Sequence, residues 1–571
     1  MRSKLTILLL TLLFIAGQAW AATHYVSNSG SATWANSTNI STPCSVTTAF
    51  ANADDDDVVY FRGGTYNVGA KNFGNTYYGY YSPSNSGSSG HYITFQAYPG
   101  ETPVFNGTAG GSGDHSYYAT IFGVASKSYI IFDGFTFQAD SGTKMARMII
   151  YGEDVYPGGA HHITVQNCIF NGGSTVIDST DNEEGIRVED ADYITIKNNT
   201  IYNYVTSANG CWHNTSGTKA YHTRYCVYEN NEVYNCCAGL YDKSQGTSNV
   251  YRYNYVHNCA NGMLIFCDGY SNTSALVYHN LVTYCSEASI DMQDDDGEQV
   301  TDNGEIYNNT IYTTSTVHTL MNVAWGDNHH VYNNILYGSA TGYGKLRLKY
   351  ATSTDEVDYN CYYGGSFKNT INYTGYTSLS SWQAVTLDGG LHPDAHGINS
   401  NPAFANGSGN LNTIADFAIE SGSPCYQTGK SGVSMGADVS LVGVDAEDTT
   451  APTVTSATIN TAGTTLTLAM SESVTNNYTT TVPTLSMSGG AVTATCNSCA
   501  SGTSLTYTLS RTIYSGETGT YSWDVAANGV EDAAGNDLVD ISGAAITNDS
   551  EQDTTPPSTP SFTGVMTGSI R

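Results

Sequence analysis

The chain has 571 residues, with 20 Lys and Arg against 51 Asp and Glu, for a net charge of −31. A protein this acidic is not built to hold nucleic acid or to lie on an anionic membrane, and a polyanionic ligand would need a local basic patch or bridging cations. Only 12% of residues are charged, whereas Gly (59) and Tyr (44) are abundant, which suits a β protein with many turns.

Residues 1–21 read MRSKLTILLLTLLFIAGQAWA, a short basic start, an apolar run and an A-x-A end. That pattern predicts a secretory signal peptide and therefore a secreted or cell-surface protein. Its apolar core is too short to span a bilayer and no later stretch is apolar enough, so no membrane insertion is expected. Thirteen Cys follow; an oxidising compartment permits disulfides, and an odd number leaves at least one thiol over. Cys496 and Cys499 have no second CxxC and no neighbouring His, so a local disulfide is expected there rather than zinc.

The next segments are CSVTTAFANADDDDVVYFRGGTY (44–66) and HYITFQAYPGETPVFNG (91–107). They resemble the entry to secreted β-helix proteins of the pectate-lyase-like superfamily, in which a short amphipathic helix caps the open core. Residues 381–438, with NPAF and DFAIESGSPCYQTG, are similar to that superfamily's closing coils. The resemblance implies a right-handed parallel β-helix over 22–445; the superfamily holds lyases, hydrolases, epimerases and adhesins.

Between these ends a pattern recurs: an apolar residue, two others, Asn, one other and a second apolar residue. It is carried by Asn199, Asn231, Asn254, Asn280, Asn309, Asn334 and Asn360, with Cys168 and Phe135 in the same slot of two earlier copies. The copies follow at intervals of roughly 23 to 33 residues, as expected for coils of fixed core and variable loops. No such coil can bury its apolar face alone, so coils must stack as parallel strands about 4.8 Å apart. The Asn slot is expected at a sharp turn, where Asn tolerates the left-handed conformation and its amide reaches the coils on either side. Cys236, Cys259 and Cys285 share another slot and read as stacked small side chains. Tyr278, Tyr307 and Tyr332 align as an outer ladder.

A further strand per coil is aligned as GIRVED (185–190), GCWHN (210–214), GLYDKS (239–244), GMLIFCD (262–268), ASIDMQD (288–294), LMNVAW (320–325) and GKLRLK (344–349). Alternation along a strand then points Arg187, Glu189, Trp212, Tyr241, Lys243, Asp291, Gln293, Asn322, Arg347 and Lys349 outward. Cations with an aromatic platform suit an extended acidic sugar chain, since rings stack on sugar faces and a cation stabilises an enolate-like charge while a base takes the adjacent proton. Lys243 and Arg187 are therefore the catalytic candidates, about 10 Å apart along the stack. Trp212, Tyr241, Asn322 and Arg347 are the substrate-binding candidates. Glu189, Asp291 and Asp294 are candidate Ca²⁺ ligands, oxygen donors beside a Gly-containing loop. DKSQGTSNVYRYN (242–254) also partly resembles the alginate-lyase and chondroitinase-B type lyases, which implies Lys243 as the base. That family's Arg-His-Gly and its paired Glu ligands are replaced here by LIFCDG (264–269) and AGLYD (238–242). The Asp-Asp and Gly-His-Gly features of pectin hydrolases are absent.

After Asp448 the texture becomes Thr- and Ser-rich, and DTTAPTVTSATI, TTLTLAMS, SLTYTLS and VEDAAGNDL resemble bacterial immunoglobulin-like modules. A linker at 446–452, a β-sandwich at 453–550 and a linker or tail at 551–571 are expected. The reading is thus an all-β chain, a solenoid followed by a sandwich, that works as a monomer. It binds a polysaccharide or cell-surface glycan and is expected to cleave a uronate-containing one by β-elimination. The rivals are a non-catalytic adhesin and a glycoside hydrolase.

Overall fold

The computed structural model describes residues 22–551 apart from 69–79, 108–117, 140–144, 154–158, 174–183, 207–210, 212–214, 267–271, 294–300, 325, 350–354, 387–391, 408–410, 444–450, 477–481, 524–528 and 532–537. The expected signal peptide lies outside them. The chain forms two compact units, one up to Asp445 and one from Ala446 onward. No helix among the described residues is long and apolar enough to cross a membrane.

The first unit is a stack of coils whose strands form three parallel sheets, the second and third starting later in the stack than the first. The first sheet runs from Thr23–Val26 through Val58–Phe61, Ile93–Ala97 and Ser128–Asp133 to Glu356–Asp358. The second runs from Gly64–Val68 to Ile398–Asn399. The third, here the flank sheet, pairs Tyr118–Ala125 with Met145–Tyr151 and continues through each later coil to Asn369–Ile371. Register keeps like positions above one another: Val165, Ile196, Tyr228, Tyr251, Val277, Ile306 and Val331 follow in one column and are buried in a single continuous core. No coil has an apolar interior of its own, so the stack is stable only as a stack.

At the turn between the first and second sheets the seven Asn form one ladder. Asn199 donates its backbone N–H and its Nδ2 to Oδ1 of Asn231, both at 3.1 Å, and Nδ2 also reaches the Val165 carbonyl at 2.9 Å. The same links join Asn231 to Asn254, Asn254 to Asn280, Asn280 to Asn309, Asn309 to Asn334 and Asn334 to Asn360. Each amide thus satisfies main-chain groups that a buried turn would otherwise orphan. The left-handed conformation is not at the ladder Asn, as the sequence suggests, but one residue earlier: Asn198, Asn230, Tyr253, His279, Asn308, Asn333 and Tyr359 have φ between 52° and 59°. Asn in the ladder slot is therefore required for its hydrogen bonds rather than for its backbone freedom. Cys236, Cys259 and Cys285 are buried thiols, and Tyr278, Tyr307 and Tyr332 stack at 4.9 and 5.1 Å.

One end of the core is closed by the helix Val46–Asn52, capped by Ser45, whose side chain accepts from the Thr48 N–H. Its Phe50 packs on Phe61, Phe95 and Phe122. After the last coils, the described residues of 400–443 turn back along the stack. Phe404, Leu411, Phe417 and Met435 bury the outer side chains of Leu281, Tyr312 and Ile335. Asn308 Nδ2 donates to the Ser434 carbonyl and Asn230 Nδ2 to that of Leu441, so this strap clasps several coils.

The second unit is antiparallel except where Val454–Ile459 pairs in parallel with Thr547–Asn548. Thr465–Asn476 pairs with Val454–Ile459 and Ser501–Leu509, and Thr484–Met487 pairs with Gly519–Trp523. Val492–Ser498 pairs on one side with Thr484–Met487 and on the other with Ser501–Leu509. Its own core is built on Leu466, Leu468, Leu505, Tyr507 and Trp523. Cys496 and Cys499 form a disulfide, as does the pair Cys211 and Cys237 in the first unit.

Candidate functional site

The flank sheet aligns the residues from which the site was predicted. Its central outward column reads Arg187, Lys219, Tyr241, Leu264, Asp291, Asn322, Arg347 and Thr370 on successive coils. The inward neighbours are Ile186 and Val188, Leu240, Met263 and Ile265, Ile290 and Met292, Met321 and Val323, and Leu346 and Leu348, all buried. The predicted alternation therefore places Arg187, Tyr241, Asp291, Asn322 and Arg347 in one line, and the GMLIFCD coil turns Leu264 outward.

One strand differs from the alignment. The coil expected to contribute GCWHN contributes Ser216–Arg224 instead; Trp212 lies outside the described residues, and the outward position belongs to Lys219. The stretch of sequence before this strand is longer than the alignment allowed. Two signals mark the true register. Ile186 and Thr218 stand equally far before Asn199 and Asn231, and Gly185, Gly217, Gly239 and Gly262 take the second position of the strands in consecutive coils. At Gly239 a Cβ would come within 2.5 Å of the Gly262 carbonyl oxygen, so the close approach of coils demands glycine there.

Leu240 stands one residue further before Asn254 than Ile186 and Thr218, its counterparts in the two preceding coils, do before Asn199 and Asn231, and the extra residue is Lys243. Ala220 pairs with Asp242 but Tyr221 pairs with Ser244, leaving Lys243 in a bulge. A bulge re-aims a side chain: the Lys243 ammonium lies 5.6 Å from the centre of the Tyr221 ring, over which the Arg187 guanidinium also sits, at 4.8 Å. Lys219 Nζ is 5.4 Å from the Tyr241 ring centre. Arg187, Lys219, Tyr241 and Lys243 are thus brought together, with Lys243 and Tyr221 half-buried and the other three buried.

Arg187 is held by carboxylates. Its Nη2 is 2.7 Å from Glu189 and its Nη1 3.4 Å from Glu184, which also pairs with Arg147 at 3.0 Å. Burial opposes the guanidinium charge, but Glu184 and Glu189 outweigh it and raise the pKa. Glu189, a candidate Ca²⁺ ligand, is engaged by Arg187. Asp291, another, accepts from Asn322 Nδ2 at 2.7 Å, and Asp294 lies outside the described residues. Among the described residues no group of three or more His, Cys, Asp or Glu side chains is arranged to hold a metal ion. Arg347, four coils from Tyr241, lies 3.6 Å over the Tyr343 ring and donates to Asn322 Oδ1.

Behind the bulge is a residue that sequence reasoning passed over. Asp242 points into the apolar core, where its Oδ2 accepts from Asn249 Nδ2 at 2.9 Å and from the Tyr251 hydroxyl at 2.8 Å. Burial pushes its pKa up to about 6, against the lowering effect of those two donors. Strand alternation already assigned it the inward face, and that was the available signal.

Comparison with known proteins gives the following. No curated protein matches the chain. Among solved structures it is similar to a pectate lyase, with 15% identity, 73% of this chain and 95% of that chain covered, and a TM-score of 0.46. It is also similar to a surface adhesin of Streptococcus pneumoniae (13% identity, 56% and 86% covered, TM-score 0.34). A third is a family 6 polysaccharide lyase from Pseudopedobacter saltans (9% identity, 65% and 96% covered, TM-score 0.34). Residues 133–311 match the family model described as right handed β-helix region, and the three sheets continue the same winding on both sides of that stretch: the first unit is a right-handed parallel β-helix.

Proposed function

We propose that this protein is a secreted polysaccharide-binding β-helix that cleaves a uronate-containing glycan by β-elimination on its flank sheet. The observation that carries the reading is the single Tyr221 ring flanked by both Arg187 and Lys243, with Lys219 on the Tyr221 strand and Tyr241 on the next rung. In an acidic chain of net charge −31, this is a local gathering of the scarce cations that an acidic sugar would need.

In the proposed reaction the Lys243 amine, in its neutral form, removes the proton beside the uronate carboxylate. The electron pair left behind forms the new carbon–carbon double bond as the glycosidic C–O bond breaks, and the departing oxygen takes a proton from solvent. Arg187, fixed by its two carboxylates, offsets the negative charge that develops on the uronate. The half-buried Tyr221 supplies the sugar-facing ring, Tyr241 backs it from the adjoining rung, and Arg347, about 19 Å further along the stack, serves a distant subsite.

The rival reading, a glycan-binding adhesin, is favoured by the burial of Arg187, Lys219 and Arg347, which is the condition of cations that brace a fold. Incubation with a panel of uronans, with and without chelator, separates the two. Unsaturated, ultraviolet-absorbing sugar ends support the lyase. Binding without product supports the adhesin, and new reducing ends without unsaturation indicate a hydrolase.

A further inference from the structure

The outward face of the second sheet carries a separate arrangement. Its column reads Tyr202, Tyr234, His257, Thr283, Tyr312, Tyr337 and Tyr363 on consecutive coils. Tyr202 stacks on Tyr234 and Tyr234 on His257, each at 4.9 Å, and Tyr312 meets Tyr337 at 4.7 Å. The ring column is interrupted only at Thr283. There a cavity of about 520 Å³ opens, lined by Tyr255, Tyr284, Tyr312 and Leu411 and by the polar side chains of Glu232, His257, Asn258, Thr314 and Asn412.

The lining is braced. Tyr255 stacks on His257 at 4.3 Å, His257 Nε2 lies 3.2 Å from Glu232, Tyr284 meets Tyr312 edge-on at 5.5 Å, and the Tyr284 hydroxyl donates to the Leu411 carbonyl at 2.7 Å. One wall is thus the sheet and the other the strap that clasps it, and the two are tied together at the cavity itself. The volume falls within the roughly 300–1,000 Å³ of small-ligand sites.

We propose that this cleft binds a neutral oligosaccharide. Tyrosine rings offer faces to the C–H side of a pyranose, while Glu232, Asn258, Thr314 and Asn412 offer hydrogen-bond partners for hydroxyl groups. Among the described residues no Lys or Arg lines it, and the carboxylate of Glu232 disfavours a uronate. Its chemistry is therefore opposite to that of the flank sheet, and it would hold the protein on an uncharged matrix glycan whether or not the flank is catalytic.

The test is calorimetric titration of the full chain with cellohexaose, xylohexaose, mannohexaose and, as the acidic counterpart, a galacturonate hexamer. At least one neutral hexamer binds, and Asn412→Ala and Glu232→Ala each weaken it about tenfold or more with unchanged melting temperatures. Thr314→Trp, at an exposed position on the rim, blocks it, and Lys243→Ala leaves it as in wild type. Absence of binding by every neutral hexamer overturns the proposal. So does wild-type affinity in all three cleft variants, or competition by the galacturonate hexamer as strong as self-competition.

Discussion

Asn360 donates its backbone N–H and its Nδ2 to one carboxylate oxygen of Asp394, at 3.1 and 2.9 Å. The ladder of amides that begins at Asn199 thus ends on a group that only accepts. The other Asp394 oxygen accepts from the Tyr362 hydroxyl at 2.6 Å and from Trp382 Nε1 at 2.8 Å. Asp394→Ala would leave these buried donors unpaired, at about 1–3 kcal/mol each. A loss of about 4 kcal/mol is expected by denaturant unfolding of the first unit, and Asp394→Asn, which keeps one carbonyl acceptor, is expected to lose less.

Asp242 makes the first unit sensitive to pH. Its carboxyl is raised from 3.8 to about 6 by burial, so the folded state retains a proton that the unfolded chain releases first. Its contribution is complete below pH 4 and is lost as pH rises to about 6, an effect of about 3 kcal/mol at full size. Melting temperatures measured from pH 4 to pH 8 should therefore fall less steeply in Asp242→Asn than in wild type, with the variant the more stable of the two at pH 8. Parallel curves would mean that Asp242 does not change protonation between the folded and unfolded states.

The glycine column reports how closely the coils approach. A methyl group at Gly239 would stand 2.5 Å from the Gly262 carbonyl oxygen and 2.6 Å from Val256 Cγ1. Backbone cannot yield as a flexible side chain does, and overpacking of this kind costs about 1–3 kcal/mol. Gly239→Ala should lower the unfolding free energy, measured by denaturant titration, by that amount. The same change at Gly90, where the added Cβ meets no atom within 4 Å but φ is +82°, should cost only the smaller backbone strain.

The stack was legible because its physics repeats. A residue such as Asn254 recurs for the same hydrogen-bonding reason in seven coils, and one register fixes every strand that is tied to it. The flank sheet was less legible because the stretches of sequence before its strands are of unequal length; Lys219, not Trp212, holds the outward position because the register of this strand is fixed by its distance to Asn231 and not by its distance from Asn199. The bulge that turns Lys243 toward Tyr221 is a single inserted residue, visible in the spacing to Asn254 but not in its meaning. Burial of Arg187 and Arg347 could not be read from alternation, because it depends on the side chains packed on them, Glu184, Glu189 and Tyr221 on the first and Tyr343 and Asn322 on the second. The aromatic column of the second sheet was equally hidden: Tyr312 is one Tyr among 44, and its neighbours lie in other coils.

The central claim is that the cations grouped around Tyr221 cleave an acidic glycan with Lys243 as the base. It is tested most directly by following ultraviolet absorbance while wild type and Lys243→Ala act on the best-accepted uronan, with circular dichroism confirming the fold of both. The account predicts unsaturated sugar ends from wild type and a rate at least about 100-fold lower from the variant. Unsaturated product released at the wild-type rate by Lys243→Ala would contradict it.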